Sequence, residues 1–99
     1  MPLHYLIFEA SEDGQDTGTW EAIASVRAAQ LPAVQAEVQV VLDAAETHSP
    51  GPRGPLDEGG TWDADVHELA EGEWCTVILT LVGPSAWGEA LLARLNPDD

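Results

Sequence analysis

Nine consecutive residues, Trp74-Cys75-Thr76-Val77-Ile78-Leu79-Thr80-Leu81-Val82, contain no charge, no glycine and no proline, and most are β-branched or aromatic. Glu71-Gly72-Glu73 bounds the run on one side and Gly83-Pro84-Ser85 on the other. An apolar stretch of that length between turn signals is a strand, being too short for a buried helix. Cys75, Val77, Leu79 and Leu81 then lie on one side, with Trp74, Thr76, Ile78 and Thr80 on the other. A strand of this kind belongs inside a sheet, so the rest of the chain is expected to supply partner strands and a layer that covers one face.

Three further strands follow from composition and period. Residues 3–10 are apolar and aromatic and run into the loop Ser11–Gly18, which holds three acids and two glycines. From Trp20 to Val26 the chain alternates, Trp20, Ala22, Ala24 and Val26 against Glu21, Ile23, Ser25 and Arg27. Trp62, Ala64 and Val66 alternate against Asp63, Asp65 and His67, with a turn expected at Ala70-Glu71-Gly72-Glu73. Between the second and third strands the period changes. Leu31, Val34, Val38, Val41, Leu42 and Ala45 form a helical stripe, and a start near Ala28 puts Pro32 in the first turn, where a missing N–H costs little. The helix stops near His48, before a Pro/Gly-rich loop at 49–61. Ser85 can cap a second helix, with Trp87, Ala90, Leu91, Arg94 and Leu95 on one face.

The expected fold is therefore α+β, a two-layer sandwich in the order ββαββα, with a four-stranded antiparallel sheet and two helices on one face. Leu6, Phe8, Trp20, Ala22, Val26, Trp62, Val66, Cys75, Val77, Leu79 and Leu81 are expected to face the helices. The alternative makes residues 19–47 one helix and gives a ferredoxin-like βαββα order. Residues 1–99 are read as a single domain, and Trp20 and Trp74 each open the second strand of a hairpin, as an internal duplication would have it.

Charge narrows the function. Eighteen Asp and Glu face three Arg and no Lys, a net charge of −15. Nucleic-acid and anionic-membrane partners are excluded as expectations, because both need Lys or Arg to displace counterions. The first residues lack a basic segment and a membrane-length apolar run, and the lone Cys75 forms no internal disulfide, so a cytoplasmic location is expected. The abundance of Ala, Gly and Asp without Lys points to a bacterial, GC-rich source.

No catalytic constellation stands out, and no cofactor is expected. Cys75 points inward and His67 outward, which keeps them apart as a nucleophile and base. The outward set is more informative. Tyr5, Ile23, Trp74 and Ile78 make a candidate interaction face, framed by acids, for a basic protein partner or a homodimer. Asp63, Asp65 and His67 stand at i, i+2 and i+4 on one strand and form a candidate metal set, which would need His4 or Glu21 to complete it because neighbours lie about 6.5–7 Å apart. The acids of two loops, Glu12, Asp13 and Asp16 in one and Asp57 and Glu58 in the other, lack calcium-loop spacing. The leading expectation is a small acidic interaction module, the alternative a metal-binding or enzymatic domain.

Overall fold

The computed structural model describes residues 5–12, 16–54 and 58–95. The elements are β1 (Phe8–Glu12), β2 (Thr17–Arg27), a single 3-10 turn (Ala28–Gln30), α1 (Leu31–Thr47), β3 (Asp63–Glu71), β4 (Trp74–Pro84) and α2 (Ser85–Leu95). The sheet order is β1-β2-β4-β3, with every neighbouring pair antiparallel. This is the α+β arrangement ββαββα. The ferredoxin-like order is not adopted, because residues 17–27 are a strand laid along the full length of β4.

The strands are longer than their apolar patterns. Ser11 and Glu12 extend β1 by pairing with Thr19 and Gly18, since ladder hydrogen bonds require only backbone groups. β3 runs on through Glu68, Ala70 and Glu71 to a two-residue turn, Gly72-Glu73, in which Gly72 holds φ +62°. Glycine at the first turn position suits the twist of a tight hairpin. Gly83 continues β4 and pairs with Gly18.

Pro32 lies in the first turn of α1, as its missing N–H requires. The helix buries Val34, Val38, Val41 and Ala45, while Leu31 and Leu42 are half-buried at its flank. In α2 the buried stripe is Trp87, Gly88, Leu91 and Leu95, whereas Ala90 and Arg94 are exposed. Both stripes join Trp20, Ala22, Ala24, Val77, Leu79 and Leu81 in one core on one side of β2 and β4.

At the centre of that core, Trp87 meets Trp20 edge-on at 6.1 Å and Trp62 at 5.5 Å. Glycines make the room. A Cβ on Gly88 would fall 2.1 Å from the Trp20 ring, and one on Gly83 would fall 2.6 Å from the Trp87 ring.

Two expected core residues lie outside it. Val66 is 39% exposed and Cys75 is half-buried. Both point to the helix side, but the helices pack over β2 and β4 and leave the inner face of β3 exposed from Val66 onward, Ala64 alone of its inner residues packing on the core. From α1, Gln35 reaches across and donates to the Glu68 carboxylate at 3.1 Å.

Candidate functional site

Among the described residues, no helix or strand covers the face of the sheet away from α1 and α2. Its side chains form rows read directly from the strand register. Ile23 of β2 lies beside Ile78 of β4, which lies beside His67 of β3. The next row towards the β3–β4 turn is Ser25, Thr76 and Leu69, and the last is Arg27, Trp74 and Glu71. In the opposite direction come Glu9, Glu21, Thr80 and Asp65, then Thr19, Val82 and Asp63. An apolar band thus crosses the middle, with carboxylates on both sides. Ile23 is 50% exposed, Trp74 48% and Leu69 52%.

The band is locally fixed by polar contacts. The hydroxyls of Ser25 and Thr76 share a hydrogen bond at 3.1 Å between neighbouring strands. The Arg27 guanidinium stacks 5.1 Å from the centre of the Trp74 ring and pairs with Glu73 at 3.6 Å. Arg53 repeats this arrangement at the far corner, 5.3 Å from the Trp62 ring and 3.5 Å from Asp63. Arginine suits both tasks because its planar, weakly hydrated group stacks and hydrogen-bonds at once. Two of the three arginines are thereby engaged within the chain, and Glu9 and Glu21 stand directly opposite each other, with no salt bridge to either among the described residues. The face therefore presents apolar surface in a negative field.

The four residues of the expected interaction face divide. Ile23, Trp74 and Ile78 stand together on the open face. Tyr5 does not join them. It precedes β1, is half-buried, and packs against the core. Its placement follows from Glu37 of α1, whose carboxylate accepts from the N–H groups of Tyr5 at 3.0 Å and Leu6 at 3.1 Å. Strand alternation, which put Tyr5 outward, begins only at Phe8. Leu69, which the expected face does not include, joins it because β3 runs beyond His67 to the turn. Continued alternation through Leu69 was the available signal.

Asp63, Asp65 and His67 share this face but do not converge. Asp63 is held by Arg53 and accepts from the Ala64 N–H at 2.9 Å, while Asp65 and His67 lie opposite Thr80 and Ile78. Among the described residues, no group of three His, Cys, Asp or Glu side chains is placed to hold an ion. Along an extended strand the first and last of three alternate side chains stand about 13 Å apart at the backbone, which keeps all three from reaching one ion. His4, Asp13 and Asp57 lie outside the described residues, as does the side chain of Glu12. A dent of about 80 Å³ lies beside Asp63, Asp65 and Thr80, and a notch of about 170 Å³ is lined by Leu31, Glu68, Leu69, Ala70 and Cys75. Both are smaller than the roughly 300 Å³ at which small-molecule sites begin.

Compared with known proteins, the chain matches no family model, no curated protein and no solved structure. No helix among the described residues is long and apolar enough to cross a membrane.

Proposed function

We propose that the chain is a protein-interaction module that docks a basic protein on the open face of its sheet. One observation carries this reading. Ile23 and Ile78 form an apolar row, with Leu69 and Trp74 on the same face towards the β3–β4 turn, no described helix or strand covers that face, and carboxylates lie on both sides of the set. Apolar area supplies the affinity of an interface, while complementary charge selects the partner and speeds encounter. A net charge of −15 makes that selection one-sided, since a cationic surface is attracted over several ångströms and an acidic one is repelled.

A titration followed by NMR tests the reading. The probes are two peptides of alternating charge and valine, one with lysine and one with glutamate. The lysine peptide should shift the methyl signals of Ile23 and Ile78 and the indole N–H of Trp74, and the shifts should shrink as sodium chloride is added. The glutamate peptide should leave them unchanged. Equal responses to both peptides, or none at these side chains, would refute docking of a basic partner here. A dimer that forms without peptide and disappears in Ile78→Asp would instead assign the face to a second copy.

A further inference from the structure

β3 forms one edge of the sheet, and two observations fix which of its backbone groups point outward. The Ala64 carbonyl accepts from the Arg53 guanidinium at 3.2 Å, and the Trp62 carbonyl accepts from the Gly54 N–H at 2.9 Å. Both carbonyls therefore turn away from β4. At the other end, Glu71 and Trp74 flank the two-residue turn, and the pair closing such a turn exchanges its hydrogen bonds inwardly. The odd-numbered residues of β3 are thus bonded to β4, and the even-numbered ones aim N–H and C=O at the edge. Arg53 and its neighbours already occupy that edge beside Trp62 and Ala64. Beyond them, the backbone groups of Val66, Glu68 and Ala70 have no partner among the described residues.

The geometry points to Val66–Ala70 as the seat of an added β-strand donated by a basic protein, with a Lys or Arg of that strand opposite Glu68. This rests on the docking reading above and states how the partner's backbone engages. Unpaired edge groups are a template for an incoming strand, whose ladder gives affinity while side chains on alternate faces give specificity. Glu68 is exposed, and among the described residues its carboxylate meets only the Gln35 amide. Asp65 and Glu71 stand on the other face of the same strand, and the uncovered Val66 offers apolar surface between the charges.

A second copy of this chain fits the edge poorly. Two-fold antiparallel pairing centred on the free segment puts Glu68 against its own symmetry mate, and like charges directly opposite are destabilising. Moving the axis to Val66 or His67 requires Arg53 to leave the Ala64 carbonyl. Moving it to Leu69 or Ala70 places Val66 opposite Gly72 or Trp74 of the second copy and so runs the pairing into the Gly72-Glu73 turn. The acids that deter self-pairing are those that select a cationic strand.

Amide hydrogen exchange of the full chain, with the lysine–valine peptide as probe, tests the inference. At saturation the amides of Val66, Glu68 and Ala70 should slow by about tenfold or more, while Asp65, His67 and Leu69, already bonded to β4, change less. The glutamate–valine peptide should have no effect. Glu68→Lys should weaken the lysine peptide by about tenfold or more, the order expected when a charged hydrogen-bonding partner is reversed. Val66→Pro removes an outward donor without touching the β3–β4 ladder, and it should abolish the protection while β4 amides report an intact sheet. Should that variant unfold, Glu68→Lys carries the test. Shifts at Ile23 and Ile78 without slowed β3 amides would overturn edge docking and leave face docking standing. Protection that grows with protein concentration alone would name a second copy as occupant and overturn the inference. No response to the lysine peptide would overturn both readings.

Discussion

Gly88→Ala offers the sharpest test of how the core is built, because two effects of opposite sign meet at one helical position. Helix propensity favours alanine over glycine by about 1 kcal/mol inside a helix. The new Cβ, however, would lie 2.1 Å, 2.2 Å and 2.5 Å from Cη2, Cζ2 and Cζ3 of Trp20. Carbon pairs prefer about 3.5–4.0 Å, so the ring or the helix must move by at least about 1.4 Å. Trp20 is fully buried and set edge-on to Trp87, which is itself pressed onto Gly83. Overpacking of this kind costs about 1–3 kcal/mol, and so large an overlap belongs at the upper end. Net of propensity, the variant should lose about 2 kcal/mol, or about 8–16 °C in Tm for a domain of this size. Thermal and urea melts read by near-UV circular dichroism measure the loss. Trp20→Phe removes the obstructing ring atoms, so in a double-mutant cycle the two changes should couple favourably by about 1 kcal/mol or more. A Tm that rises in Gly88→Ala, or strictly additive effects in the cycle, would refute the account of glycine as the space for Trp20.

Three other perturbations follow from the contacts described. Glu37→Ala removes the carboxylate that fastens the N–H groups of Tyr5 and Leu6; it should cost about 1–3 kcal/mol in urea melts and speed exchange of the Leu6 amide, and an unchanged midpoint would contradict the fastening. Gly72→Ala places a side chain at φ +62° and should cost about 1–2 kcal/mol, while Gly72→Asn, which tolerates that backbone, should cost less; equal melts for both would contradict the turn geometry. Sodium chloride raised to about 0.5 M should increase Tm, because screening relieves repulsion among excess acids and weakens only exposed ion pairs of small worth. A Tm that is flat or falls with salt would show that the acids are spaced too widely to repel.

Period-two patterning made β2 and β4 legible, since Trp20, Ala22, Val77, Leu79 and Leu81 alternate without interruption and all are buried. Their order, with two helices on one face, followed from the change of period at Ala28 and from Ser85 after the last strand. Strand ends were less legible. Glu12, Glu68, Ala70 and Glu71 are weak strand formers, yet they lie in strands because the register with β2 and β4 carries on through them, the ladder bonds of β3 being made by its odd-numbered residues. Val66 and Cys75 carry inward patterns, but no sequence period reports how far a helix layer extends sideways. Gly83 and Gly88 look like breakers in one dimension and are space for tryptophan rings in three. The open face was legible in Ile23, Trp74 and Ile78. The free edge was not, because knowing which backbone groups point outward requires the register of β3 on β4.

The claim that an apolar band, and not charge alone, forms the docking surface is tested most directly by calorimetric titration of the lysine–valine peptide into the wild type and Ile78→Asp. Ile78 lies at the middle of the band, between Ile23 and His67. The substitution adds a carboxylate to a surface that already attracts the peptide, so a purely electrostatic interaction would grow stronger. Docking on the band requires the opposite sign, because the part of the half-buried Ile78 that a partner would cover is replaced by a carboxylate that must give up its water beside apolar side chains. Ile78→Asp should weaken binding by about tenfold or more, each tenfold corresponding to about 1.4 kcal/mol. Unchanged or tighter binding, with the variant's β4 amides still protected, would contradict it.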